Sequence, residues 1–241
     1  MPNKRYNDIP VFVKVGLKSK GENMKRVLSF FAVIALSLMM SGIADAATIN
    51  YNYTANGNQY TSPYDAITED FEGQLAWTWT GNYEIVEGSS SGKYSAPADI
   101  NGVKETTKYV TVPDPLDGDG TGSVRVANLG GTYTYFGLWW GSVDAYNTIT
   151  FYKDGKITES FTGSAVLNPN PANGNQTSTS TNLYVNFMGL KAFDSFEMSS
   201  TQFAFEADNI SVGNPVPVPA AVWLFGAGLL GLVGVRRKMR S

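Results

Sequence analysis

The sequence predicts an all-β body, an antiparallel two-sheet sandwich of jelly-roll-like form, held between two topogenic ends. Three observations carry that reading. Apolar residues in the body recur with period 2 rather than 3.6. β-branched and aromatic residues fill those alternating runs, and Gly, Asn, Asp and Ser punctuate them. No apolar stretch of helical length occurs between residues 47 and 213, whereas each flank contains one.

The N-terminal flank comes first. Residues 1–23 show no apolar periodicity and stand apart from the fold, either as an overlong start before Met24 or as an extended basic region. Met24-Lys25-Arg26 precedes an apolar run from Val27 to Met40, and Ala44-Asp45-Ala46 follows. A basic start, a short apolar stretch and an A-x-A site are the layout of a secretory signal peptide, here 24–46, with Ala44 and Ala46 at the cleavage site. The apolar run of 14 residues is shorter than the ~20 that a membrane span needs.

The body spans 47–213. Strands are predicted at Leu75–Thr80, Tyr83–Glu87, Lys108–Val112, Ser123–Ala127, Tyr133–Trp139 and Thr148–Tyr152. Further ones fall at Ile157–Thr162, Leu183–Phe187, Ser195–Ser199, Gln202–Glu206 and Ile210–Val212, so eight to eleven strands are expected. Asp154-Gly155 lies between two of them and signals a tight hairpin. Asn168–Gln176, running on into Thr177–Thr181, reads as a long polar surface loop. Asp114–Gly120 reads as an acidic turn.

The C-terminal flank, 214–241, has three parts in fixed order. Val216-Pro217-Val218-Pro219-Ala220 is an extended, proline-stiffened motif, since proline continues neither helix nor ladder. The 16 residues Ala220–Val235 carry no charge, and Arg236-Arg237-Lys238 follows. As a helix those 16 residues reach about 24 Å, close enough to a ~30 Å hydrocarbon core for arginine snorkelling to close the gap. The basic end belongs on the cytoplasmic side, which places the body across the inner membrane.

Charge follows the same division. The body holds 18 acidic against 7 basic residues, net −11, while both flanks are basic. So acidic a domain repels phosphate backbones and excludes a nucleic-acid partner. The chain has no cysteine and no histidine. Disulfides, thiolate or imidazole metal sites, cysteine nucleophiles and histidine bases are excluded with them.

The tail resembles the PEP-CTERM sorting signal in its VPLPA-type variant, with Val218 in place of the leucine and no central glutamate. The resemblance implies recognition by an exosortase, a cut near the proline motif, export through the Sec machinery, an inner-membrane intermediate and display on a biofilm-forming Gram-negative cell. A second resemblance covers Gly92 to Val212. Gly92–Pro97, Tyr135–Tyr152 and Phe205–Val212 are similar, in order, to a family of exosortase-dependent surface proteins. It implies a surface protein without naming a ligand.

Three sets of side chains are candidates for chemistry in the body. Trp77 and Trp79 share one strand face, and Trp139 and Trp140 point to opposite faces. Trp77, Trp79 and Trp140 could stack on sugar rings of an exopolysaccharide, against the alternative of core packing. Asp117, Asp119 and Asp208 could supply oxygens to a calcium ion, against the alternative of ordinary turns. Glu69, Asp70, Glu72, Glu84 and Glu87 are the carboxylates a histidine-free glycoside hydrolase would need, against the alternative of solvated strand edges. The expected function is a non-enzymatic, structural or adhesive surface or matrix protein, with a carbohydrate-binding module and then a carboxylate-dependent enzyme as alternatives.

Overall fold

A computed structural model describes residues 46–214, apart from 53–54, 57–58, 117, 168–169, 177 and 179. The chain runs through β1 (Thr48–Asn52), β2 (Ala55–Asn56), β3 (Gln59–Tyr60), β4 (Ile67–Glu69), β5 (Thr78–Gly81), β6 (Glu84–Glu87) and β7 (Lys108–Val112). Next come β8 (Gly122–Ala127), β9 (Tyr135–Gly141), β10 (Asn147–Lys153) and β11 (Lys156–Thr162). One helical turn, α1 (Gly163–Val166), leads to β12 (Leu183–Met188), β13 (Ser195–Ser200) and β14 (Phe205–Gly213). The fold is all-β, as the alternation predicts.

Two antiparallel sheets form. The larger has seven strands in the order β1-β12-β9-β14-β7-β6, with β4 also paired to β14, and the smaller has five in the order β11-β10-β13-β8-β5. β2 and β3 pair only with each other. The inward residues of the sheets meet in an aromatic interior. Phe136 of β9 lies 5.1 Å from Phe151 of β10 and 4.8 Å from Phe196 of β13, ring centre to ring centre and edge to face. That is the geometry aromatic quadrupoles favour. The Asp154-Gly155 turn joins β10 to β11 as expected, with both residues at positive φ.

Three details depart from the sequence expectation. The described sheets hold twelve strands, because β1 and β4 join the large sheet at its rim. Each is short or carries few apolar residues, so its pairing comes from the neighbouring strand rather than from its own pattern. Gln202 and Phe203 fall in a turn, and β14 begins at Phe205. β14 then runs without interruption through a bulge between Asp208 and Ser211, where Asn209 takes a φ of 48°. The polar loop after α1 is also tied down. Ala172 is buried and donates its N–H to the Val143 carbonyl, and the Gly174 N–H bonds to Asp144.

A fourth departure matters most. Alternating strands predict one wet face. Instead β9 and β14 are buried at every position. The outward face of the large sheet is roofed by two segments of the chain itself. Ser62 bonds the Tyr135 hydroxyl at 2.8 Å, and Tyr64 packs edge-on against the same ring. The Ser95 N–H donates to Glu206 and the Ala98 N–H to Asn182. Trp139 and Tyr184 form a small apolar cluster under this roof, on the face opposite the main core.

Candidate functional site

The sorting features sit at the edges of the described region. Ala46 is exposed and stands two positions before β1, while Ala44 lies outside the described residues. β14 ends at Gly213 and the described chain at Asn214. Val216, Pro217, Val218, Pro219, Ala220, Arg236, Arg237 and Lys238 lie outside it, as does the expected membrane span. Among the described residues, no helix is long and apolar enough to cross a membrane. Cuts after Ala46 and near the proline motif therefore leave every strand, β1 to β14, in one piece.

The tryptophans belong to the interior, which corrects the sugar-stacking candidates. Trp77, Trp79 and Trp140 are 7%, 9% and 0% exposed. Trp77 and Trp79 both pack edge-on against Phe196, and Trp140 stacks on Phe205 at 4.4 Å. A ring with both faces covered cannot stack on a ligand from solvent. The shared face of Trp77 and Trp79 and the opposed faces of Trp139 and Trp140 follow the expected pattern, but all of those faces are buried.

The carboxylates at and just after β4 serve the backbone, while Glu84 and Glu87 are exposed at the two ends of β6. Glu69 is buried and accepts the N–H groups of Phe71 and Ala76 at 3.0 and 2.6 Å. Asp70 accepts from the Glu72 N–H, and Glu72 from the Lys108 N–H. An open pocket of about 500 Å³ is lined by Tyr51, Ala165, Val166, Leu167, Asn170 and Ser180, with no carboxylate among them. It lacks the acid pair that glycoside hydrolysis requires.

The expected calcium set does not assemble. Asp117 lies outside the described residues, and Asp119 is an exposed turn residue that accepts the Thr121 N–H. Asp208 is fully buried on β14 and faces a different acid, Glu105. Among the described residues, no three acidic side chains converge as metal ligands.

Glu105 and Asp208 form a pair that sequence reasoning missed. They are 103 positions apart, and Glu105 stands in an unremarkable run, Val103-Lys104-Glu105-Thr106-Thr107. Both are buried, at 3% and 0% exposure. Burial, then the neighbouring Asp208 charge, pushes the Glu105 carboxyl up to about 10. Burial pushes Asp208 up to about 7. The outer oxygens are satisfied, because Thr107 donates to Glu105 Oε2 at 3.1 Å and Asn209 Nδ2 to Asp208 Oδ2 at 3.0 Å. Glu105 Oε1 and Asp208 Oδ1 have no donor unless one carboxyl holds a proton for the other. Glu206 is likewise buried, and burial raises it to about 8 although the Ser95 N–H partly offsets the shift. The one sequence signal for these acids was the outward register of Glu206 and Asp208 on β14, which period 2 assigns to solvent.

The fold and its flanks define a protein class: a closed β-sandwich whose last strand runs directly into a linear C-terminal address. A family model described as the PEP-CTERM protein-sorting motif matches residues 215–238. The chain carries that sorting motif, with the proline motif, uncharged stretch and basic end all inside the match. The motif makes it an exosortase-sorted, exported protein that passes through a membrane-anchored intermediate towards the cell surface. Comparison with curated proteins and with solved structures returned no match.

Proposed function

We propose that the mature domain is a non-catalytic structural or adhesive component of the cell surface or extracellular matrix, in contact with exopolysaccharide. The observation that carries the reading is the sorting motif at 215–238, placed immediately after a strand paired along the middle of the large sheet. Two features support it. Both expected cuts fall outside the strands, so processing releases a complete fold. Of the acids in the hydrolase pattern, Glu69, Asp70 and Glu72 are committed to backbone N–H groups. The many connections that cross between the two sheets agree with a jelly-roll-like display module. Polysaccharide contact, in this reading, uses polar loops and strand edges rather than stacked tryptophans.

The test is fractionation of cells with and without exosortase. With the enzyme, the chain loses its tail and leaves the inner membrane; without it, the chain stays full-length there. A double Pro217→Ala, Pro219→Ala variant behaves like the enzyme-free case. Full-length protein held in the inner membrane despite active exosortase refutes the sorting reading.

A further inference from the structure

The two sheets leave a pocket at one edge of the sandwich. β1 ends the large sheet and β11 ends the small one, on the side where Phe161 of β11 meets Phe187 of β12 with ring centres 5.1 Å apart. Tyr51 of β1, Ala165 and Val166 of α1, Leu167 that caps it, and Asn170 and Ser180 of the polar loop line a space of about 500 Å³. That volume lies inside the range of about 300–1,000 Å³ in which proteins take small ligands. All six lining residues are uncharged.

The lining is held in place before any ligand arrives. The Tyr51 hydroxyl donates to the Val166 carbonyl, which ties the ring to the turn that follows β11. That turn is closed at both ends. The Thr162 hydroxyl accepts the Ala165 N–H at 3.2 Å, and the Leu167 N–H donates to the Gly163 carbonyl at 2.8 Å. Val143 anchors both arms of the polar loop. Its carbonyl accepts the Ala172 N–H, two positions after Asn170, and its N–H donates to the Thr181 carbonyl, next to Ser180. The Ser180 hydroxyl shares a hydrogen bond of 2.8 Å with Ser178 and keeps capacity for another. A prebuilt lining of this kind loses little entropy on binding.

The chemistry of the lining selects the ligand. Among the described residues, the most exposed aromatic side chains are Tyr51 at 40% and Tyr64 at 37%, and Tyr64 is packed against Tyr135. Tyr51 is thus an aromatic side chain that combines exposure with a place in a pocket. Its electron-rich ring face suits the polarised C–H bonds of a sugar ring. Asn170 and Ser180, both exposed, offer an amide and a hydroxyl to the ring's own hydroxyl groups. A purely apolar ligand would strip those two side chains of water without replacing it. An acidic sugar would find no cation in the lining and would approach a body of net −11.

We propose that this pocket binds one residue of a neutral polysaccharide, its ring stacked on Tyr51 and its hydroxyls bonded to Asn170 and Ser180. The proposal rests on the reading of the mature domain as a matrix component in contact with exopolysaccharide, and gives that contact a place. No carboxylate lines the pocket, so the polymer is held and not cut. The pocket is open to solvent, so neighbouring sugar units continue outside it.

The test uses the full-length chain in a detergent without a sugar headgroup, and so does not depend on sorting. Isothermal titration calorimetry measures binding of hexasaccharides from a neutral glucan, a mannan and a galactan, with an alginate hexasaccharide as the acidic control. At least one neutral hexasaccharide binds, and alginate does not. Tyr51→Ala weakens the binding by about 10-fold or more, and Asn170→Ala and Ser180→Ala each by a smaller factor. Tyr51→Phe, which keeps the ring, loses less than Tyr51→Ala. Ala165→Trp fills the pocket from an exposed position and abolishes binding, and it decides the matter if Tyr51→Ala does not fold. Failure of all three neutral hexasaccharides to bind the parent overturns the proposal. So does binding that survives Ala165→Trp, or alginate binding that Ala165→Trp removes. A chain that binds a neutral hexasaccharide yet stays full-length in the inner membrane despite exosortase keeps the pocket and loses the sorting reading. A chain that is sorted but binds none loses the pocket alone.

Discussion

Trp140→Ala tests whether the central tryptophan is a core residue or a ligand contact. Trp140 is 0% exposed and stacks on Phe205 with the rings 10° from parallel. An aromatic of this size buries about 200 Å², which at about 25 cal/mol per Å² amounts to about 5 kcal/mol as an upper bound. Measured large-to-small aromatic truncations cost about 3–5 kcal/mol. The lost stacking with Phe205 falls within that range, at about 0.5–1.5 kcal/mol. A loss of about 4 kcal/mol is a large part of the 5–15 kcal/mol that holds a domain together. Urea denaturation of parent and variant, followed by far-UV circular dichroism, reads the shift in midpoint. The variant unfolds at a much lower urea concentration with little change in slope. Trp140→Phe, which keeps a ring, loses clearly less. A Trp140→Ala chain within about 0.5 kcal/mol of the parent would be behaving as a surface variant, and the core assignment would be wrong.

Two further predictions concern the β9–β10 connection and the backbone. Asp144 is buried, and burial raises its carboxyl although Gly174 N–H and Ser142 Oγ both donate to it. Its folded pKa lies above the unfolded value, so it favours folding when protonated. Stability therefore falls as pH rises from the ordinary carboxylate range through the folded pKa. Its titratable neighbours are Tyr146 and Glu206. Asp144→Asn flattens that part of the stability-versus-pH curve and leaves the slope from Glu206 up to about pH 8; an unchanged curve removes Asp144 as its source. Gly163→Ala forces a Cβ to 2.0 Å from the Asp144 carbonyl oxygen and costs about 1–3 kcal/mol or more in thermal unfolding. Gly155→Ala meets nothing within 4 Å, and its left-handed φ of 74° alone costs about 1–2 kcal/mol, so the first variant should be the worse of the two.

Legibility in the sequence differed by element. β7 has the predicted bounds, and β8, β10, β11, β12 and β13 fall within one residue of theirs, because each carries enough β-branched or aromatic residues to declare its period. β1 and β4 escaped notice, since a rim strand with one or two apolar residues gains its stability from the partner already in place. The candidate tryptophans were seen at once and their relative facings were right. Their burial was not readable, because Trp77 on a strand edge and Trp77 against Phe196 look the same in one dimension. Glu105 and Asp208 were the reverse case: each is an ordinary acid in its own segment, and the pair exists only after the 102 intervening residues have folded.

By itself the sequence determined the period of the strands, the Asp154-Gly155 hairpin and the C-terminal sorting motif. These are local properties. A strand's alternation, a turn's φ and a linear signal read by a sorting enzyme all reside in neighbouring residues. Only the tertiary structure decided what the outward face of the large sheet does. Period 2 assigns Trp139, Glu206 and Asp208 to solvent, and a roof drawn from residues 61–66 and 94–105 removes them from it. Burial depends on what arrives from elsewhere in the chain, and that arrival turns Glu206 and Asp208, two outward-facing acids of β14, into buried carboxyls held above the ordinary range.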